Sequence, residues 1–464
     1  MKLPANWFEL SALTLGAMID DGTLDPVSLT EAACERVSAH DPRGRIFISA
    51  SESRALTEAI AAHDRARRGL RRSPLDGVPV AWKDNIEAVA RPTTAGSKTL
   101  QDNVALRDAA VLERGVRAGL ITLGKTALTE FAFSGLGFNP TMGSPNNPFD
   151  ALSPRAPGGS SCGSAVAVAT GLAPLGVGTD TAGSVRTPAA WNGLVGLKTT
   201  AGSIPMDGII PLSRMRDTVG PLARTVKDAA ALWSILAGVP TPDLNGADVA
   251  RLSLLLPMDL EAETDSAVWE VFAHAVECLE KSRANVFEAD LMELREAHRF
   301  ADERGNPAAV EGWADWGDTI EAHPDEVFWA VRDRMKAGAD MTARDFNELN
   351  VGFEAIGARF VSATAGFDAM IMPTVASVPP RLSKIETPDA YAAANMKSLR
   401  FTRIANLLGL TALTVPCGMT EATDNRPPLP VGLMLMAAPN QEAKLLRLGA
   451  ALERLLPPVP LPIS

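Results

Sequence analysis

Apolar and polar positions along this chain keep switching between a helical and a strand-like period. Residues 10–20 and 28–38 alternate at helical spacing and are split by the turn-like pair Asp21-Gly22. Pro26 suits the start of the second helix, where its fixed φ is already helical. An Ala/Arg/Glu-rich helix with a charged outer face is predicted over 51–68, then a turn and an apolar strand over 78–82 that releases Lys83 at its end. The stretch 109–126 reads as helix (109–118), turn (Gly119), strand (120–123) and turn (Gly124). A small-residue helix over 164–171 and a buried strand over 174–179 follow, and 195–198 continues the alternation. Such alternation predicts an α/β fold, a sheet with helices on its faces.

After a helix at 228–237 and a Pro/Gly/Asp-rich link at 238–248, the pattern over about 250–365 is mainly helical, with Trp313, Trp316 and Trp329 close together. That stretch is read as an insertion over one side of the core. Strands return at 369–373, 411–416 and 431–436, followed by a helix at 441–455 and a Pro-rich tail. No internal repeat is visible. The expected organisation is one domain over 1–464, with N-terminal helices (1–70), a catalytic core (75–225), the insertion, and a C-terminal return to the sheet (366–464).

Composition narrows the function. With 46% hydrophobic and 21% charged residues the chain is of ordinary globular make-up, and its net charge of −11 argues against a nucleic-acid partner. The longest apolar run, 165–177, is too short and too broken by Gly and Pro to span a bilayer, so no membrane partner is expected. MKLPANWFEL lacks a secretory apolar region, and a cytoplasmic location is the expectation. Cys34, Cys162, Cys278 and Cys417 form no CxxC pair. None of the five histidines lies between residues 64 and 273, and no paired-histidine spacing occurs, so a metal hydrolase is not expected.

Two motif matches mislead. Gly119 to Thr126 fits GxxxxGK[ST], but a helix precedes it and its middle reads as a strand, the wrong setting for a phosphate loop. Gly159-Ser160-Ser161-Cys162-Gly163 fits GxSxG, but the two prolines ahead of it rule out the strand a nucleophile elbow needs. Under that reading Ser161 would need His274, His298 or His323 as base.

The residues themselves suggest a different hydroxyl chemistry. Two Gly/Ser loops, Gly158-Gly159-Ser160-Ser161 and Ala182-Gly183-Ser184, flank a helix and a strand that could return both hydroxyls to one end of a sheet. A serine without histidine needs another base, and a lysine desolvated by burial can serve. Lys83 is the better candidate, with Lys125 and Lys198 also following apolar runs. The segment 179–184 could place several N–H donors around an oxyanion, or be a structural turn with Asp180 as cap.

These pieces resemble the amidase signature family of serine hydrolases over nearly the whole length. The matching segments are Gly77-Val-Pro-Val-Ala-Trp-Lys83-Asp-Asn, Leu123-Gly-Lys-Thr, Pro157-Gly-Gly-Ser-Ser and Gly178-Thr-Asp-Thr-Ala-Gly-Ser184-Val-Arg186-Thr-Pro-Ala-Ala. Gly193-Leu-Val-Gly-Leu-Lys198, Asp217-Thr-Val-Gly-Pro-Leu-Ala-Arg224, Ala412-Leu-Thr-Val-Pro-Cys-Gly and Leu429-Pro-Val-Gly-Leu-Met-Leu also match. The resemblance implies a large mixed central β-sheet covered by helices on both faces. It implies Ser184 as nucleophile, Ser160 as a relay held by a cis peptide after Gly159, and Lys83 as terminal base. Thr181, Ala182, Gly183 and Ser184 would give the oxyanion hole, supported by Ser161, Thr179, Asp180 and Arg186.

Cys162 and Ala182 stand where the family usually has glycine, and a positive φ at Ala182 would be strained. The implied acyl pocket is lined by the loop holding Ala132, Phe133 and Ser134, with contributions from Trp313 to Trp329 and from residues around 373–378. It reads as mainly apolar, which favours aryl or alkyl amides; no arginine stands out as a carboxylate clamp, although Arg155 is available. The expected activity is hydrolysis of linear carboxamides of small molecules through an acyl-enzyme, with no metal or cofactor and with esters, anilides or carbamates as further substrates. The alternatives are a glutaminase subunit of a tRNA-dependent amidotransferase, against which Gly208 to Asp217 resembles stand-alone amidases, and a non-catalytic binding protein. A homodimer is admitted.

Overall fold

The computed structural model describes residues 3–462. Eleven strands form one mixed sheet. They are β1 (Phe47–Ala50), β2 (Pro79–Lys83), β3 (Ile121–Thr126), β4 (Leu175–Asp180), β5 (Val195–Lys198) and β6 (Thr218–Ala223), then β7 (Ser253–Pro257), β8 (Asn285–Ala289), β9 (Ala369–Pro373), β10 (Thr411–Met419) and β11 (Pro430–Ala437). Their order across the sheet is β1-β3-β2-β4-β6-β5-β10-β11-β9-β7-β8. β2 runs parallel to both β3 and β4, whereas β6, β5, β10 and β11 pair antiparallel.

Every residue of β2, β3, β4, β6 and β9 is buried, so both faces of the sheet are covered there. This explains why these strands read as short continuous apolar or small-residue runs rather than as alternating ones. Helix Cys162–Ala169 packs on β2 and β4, Val226–Ala237 on β6 and Glu442–Leu455 on β10. One apolar cluster runs along the sheet from Trp7 to Leu456. A second, holding Phe131, Phe133, Phe328, Val331 and Tyr391, lies beneath the cavity described below.

The N-terminal helices fall at Ala12–Asp20, Pro26–His40 and Glu52–Arg67, close to the predicted spans. Gly124 is not a turn: β3 continues through it to Thr126, and a Cβ there would lie 2.6 Å from Ser49 O. Glycine at this position lets β1 close on β3. The stretch expected to be mainly helical also holds β7 and β8, which extend one edge of the sheet. β8 is only partly buried, and its mixed sequence NVFEA gives no two-residue period to read. The phosphate-loop match follows helix Ala110–Arg117 and is taken up mostly by β3, which is paired on both sides and has no free N–H row to cradle an anion.

Among the described residues no helix is long and apolar enough to cross a membrane.

Candidate active site

The carboxyl ends of the parallel strands β2 and β4 lie side by side, the place where open α/β sheets gather ligands. β2 delivers Lys83 there, β4 delivers Thr179 and Asp180, and the loop ahead of helix Cys162–Ala169 delivers Ser160 and Ser161. The Gly159–Ser160 peptide is cis. Ser161 N–H donates to Ser184 O at 3.2 Å, tying the two Gly/Ser loops together.

Lys83 is fully buried, with Nζ 2.7 Å from Ser160 Oγ, 2.8 Å from Thr179 Oγ1 and 3.4 Å from Thr179 O. Asn85 Nδ2 donates to the same Thr179 hydroxyl at 3.1 Å and holds it in place. Burial pushes the Lys83 amine down to about 7, opposed by the nearby charge of Asp217. An amine so placed is neutral above that pH and can take a proton from a serine hydroxyl.

Of the two readings the sequence left open for the turn after β4, the Asp180 cap is present. The Asp180 carboxylate accepts from the N–H groups of Gly183 (2.8 Å) and Val185 (3.1 Å) and pairs with Arg186 at 3.0 Å, both side chains being fully buried. Burial alone would raise this carboxyl, but the Arg186 guanidinium holds it down to about 2. Gly183, expected among the oxyanion donors, instead gives its N–H to this cap. Its φ of +133° and a Cβ position 2.2 Å from Thr402 Oγ1 leave room only for glycine. The N–H groups of Thr181, Ala182 and Ser184 form no hydrogen bond among the described residues. Ala182 does not take a positive φ, so the side chain in place of the family's glycine fits without backbone strain. Cys162 is fully buried with Sγ 3.5 Å from Ala127 O, and burial pushes its thiol up to about 12. It packs behind the loop.

Ser184 opens onto a cavity of about 370 Å³, and its hydroxyl makes no hydrogen bond among the described residues. Ala132, Phe133 and Ser134 line this cavity with Thr181 and Ala182, as expected of that loop. Phe131 and Ala132 hold left-handed φ values of 48° and 58°, the kind of backbone that gathers at functional sites. Ser134 is locked: its hydroxyl accepts from Tyr391 OH at 2.8 Å and donates to Asn395 Oδ1 at 2.9 Å.

Some other pocket expectations fail. Trp316 stacks on Phe131, 5.1 Å between centroids, and neither it, Trp313, Trp329 nor residues 373–378 line the cavity. The remaining wall comes from residues 301–308 and from Met396, Leu399 and Leu407. The wall is mainly apolar, as expected, but Arg216, Arg334 and Arg403 add positive charge that sequence reasoning did not anticipate. Arg155 is elsewhere, tied to Asp150 at 2.7 Å and to Pro379 O. Ser161 Oγ is buried at 3.3 Å from Thr179 O and contacts no histidine, which removes the elbow reading.

Three further residues were given no role by sequence reasoning. Asp217 accepts from Thr181 Oγ1 at 2.5 Å and from the N–H groups of Leu212 and Ser213. Burial raises its carboxyl to about 6. Asn406 bridges Arg186 and Asp180, and Thr402 Oγ1 donates to Ala182 O at 2.7 Å. Asp217 sits inside a matched segment and could have been singled out; Thr402 and Asn406 lie in a helix with no motif.

The family model described as Amidase matches residues 28–446. The chain belongs to this amidase family. Its relatives include 2-amino-5-chloromuconic acid deaminase of Comamonas testosteroni, 34% identical over 456 residues that cover 97% of each chain. A glutamyl-tRNA(Gln) amidotransferase subunit of Chloroflexus aggregans is also 34% identical, covering 96% of this chain and 97% of the relative. A crystal structure of an amidase superimposes with a TM-score of 0.85 at 31% identity, over 97% of this chain and all of the other. The large mixed sheet is therefore the amidase-family fold, and the chain is an amidase-family hydrolase of amide bonds.

Proposed function

We propose that this amidase hydrolyses linear carboxamides through an acyl-enzyme, with Ser184 as nucleophile, Ser160 as relay and Lys83 as terminal base. The observation that carries the reading is the 2.7 Å contact between the buried Lys83 amine and Ser160 Oγ, one loop away from a free Ser184 hydroxyl at the cavity floor. Ser184 Oγ attacks the carbonyl carbon as its proton passes to Ser160 while the Ser160 proton passes to neutral Lys83. The tetrahedral oxyanion is met by the free N–H groups of Thr181, Ala182 and Ser184, donors of a kind worth roughly 10²–10³ in rate each. The C–N bond then breaks, and the proton returns from Lys83 through Ser160 to the leaving amine. Water, deprotonated by the same route, releases the acid and restores Ser184.

Asp180 and Arg186 shape the donor loop, Gly159 brings Ser160 into place, and Thr179 and Ser161 hold the base and relay. No step calls for a metal or cofactor. Esters, anilides and carbamates fit the same chemistry.

The test is intact-mass spectrometry after a fluorophosphonate, followed by peptide mapping. A single adduct on Ser184 that is lost in Ser184→Ala is expected; an adduct on Ser161 overturns the reading. The likeness to an amidotransferase component favours a second reading, a glutaminase that works only within a complex. Amide turnover by the isolated chain rejects it.

A further inference from the structure

The cavity in front of Ser184 carries positive charge in a chain whose net charge is −11. Three guanidiniums line it, those of Arg216, Arg334 and Arg403, against one carboxylate, Asp302. Arg403 is matched, with Nη2 2.9 Å from Asp302 and 3.1 Å from His298 Nδ1. The other two are not matched in the same way.

Arg334 makes no ion pair among the described residues. Its Nη1 donates to Phe133 O at 2.5 Å and its guanidinium lies over the Phe133 ring, 4.1 Å from the centroid. The stacked ring and the carbonyl fix its orientation, and its other N–H groups have no partner among the described residues. Arg216 is 8% exposed, yet its Nε and Nη1 are buried without a hydrogen bond. Its Nη2 donates to Asn350 Oδ1 at 2.6 Å, and Glu311 stands off at 3.8 Å, held instead by Ser213 Oγ and Met215 N–H. A desolvated guanidinium with idle donors is costly unless something accepts from it, and the planar fork of arginine matches a carboxylate.

We propose that Arg334 and Arg216 form an anion subsite, so that the substrate is a small amide carrying a carboxylate a few carbons from the scissile bond. This rests on the amidase reading above for the position of the amide, which lies at Ser184. The carboxylate lies at the arginine wall, and Phe133 with Leu212 and Leu399 encloses the short apolar link between the two. Neutral alkyl amides fill the same space but leave Arg334 without an anionic partner and Arg216 with only the long 3.8 Å pair to Glu311.

The experiment compares primary amides of matched length, ω-carboxyalkanamides of the glutaramic acid type against n-alkanamides. With ammonia as leaving group, only the acyl part fills the cavity. In the wild-type enzyme kcat/KM for the acids is expected to exceed that for the neutral amides by about tenfold or more, the scale of a charge-assisted pair. Arg334→Gln and Arg216→Gln should each erase most of that ratio, chiefly through KM, and Arg334→Lys should restore part of it. Melting temperatures report folding of each variant.

Turnover of neutral amides without preference for the acids, or a preference unchanged in both glutamine variants, overturns the anion subsite and leaves amide hydrolysis standing. Absence of turnover on every amide overturns the hydrolysis reading instead. Calorimetry of glutarate with the Ser184→Ala enzyme then decides the subsite: binding that is lost on adding Arg334→Gln upholds it, and no binding overturns it.

Discussion

Lys83 and Lys198 are both fully buried at strand ends, and burial pushes both amines down to about 7. Their surroundings differ in one respect. Lys83 faces two hydroxyls, Ser160 and Thr179, whereas Lys198 donates to two carbonyl oxygens, Leu410 O at 2.7 Å and Thr199 O at 2.8 Å. A carbonyl cannot hand over a proton, so Lys198 has nothing to do as a base and instead clamps β5 to the segment leading into β10. Lys125 is a third case, with Asp84 at 2.7 Å opposing the downward push of burial. A depressed lysine pKa marks desolvation; the partner decides whether that desolvation can be used.

The sharpest way to break this contrast is to remove the chain of hydroxyls. Ser184→Ala should abolish measurable turnover and Lys83→Ala should lower kcat by about 10³-fold or more, with melting temperatures retained, in the manner of groups that act as one unit. Near-normal rates in either variant would sink the assignment. Thr179→Val, which deletes only the second hydroxyl on Lys83, is expected to cost about 10–100-fold in kcat by loosening the base.

Acidification probes the same amine. Because Lys83 must be neutral to accept a proton, kcat/KM should fall as pH drops through about 7. Asp217 favours the charged form of Lys83, so Asp217→Asn should move this acidic limb to lower pH by about half a unit to one unit. A pH-rate profile that is flat down to pH 5, or a limb that moves upward, contradicts the role.

The smallest kinetic effect is expected at Lys198. Lys198→Met should leave kcat within a few-fold, while two bared carbonyls lower stability by on the order of 1–3 kcal/mol in denaturant titration. The titration of this amine bears on stability rather than on rate. With a folded value near 7 and an ordinary value of 10.5, the unfolded chain binds the extra proton between them, and stability should rise with pH across that window.

Much of this was readable from the chain because glycine and small residues at close approaches leave a strong local signature. The loops around Ser160 and Ser184 and the strand ending in Lys83 fall in that class. β8 was missed because its residues carry little period, and β7 because its short apolar run SLLLP stands alone in a stretch that otherwise reads as helix. The pocket was harder still. Arg216, Arg334 and Arg403 come from a loop and two separate helices, and only the tertiary packing that sets these elements around Ser184 brings them together. Thr402 and Asn406 support the donor loop for the same reason, as long-range contacts made by a helix whose sequence shows no motif.

The chain has a single tyrosine, and the fold places it beside this cavity. Tyr391 OH reaches Ser134, which lines the wall, and the Arg334 charge is felt at the phenol. Biosynthetic replacement by fluorotyrosine would therefore yield one fluorine resonance with no assignment problem, set next to the arginine wall. Its chemical shift gives a direct count of occupied sites during titration, read without any turnover.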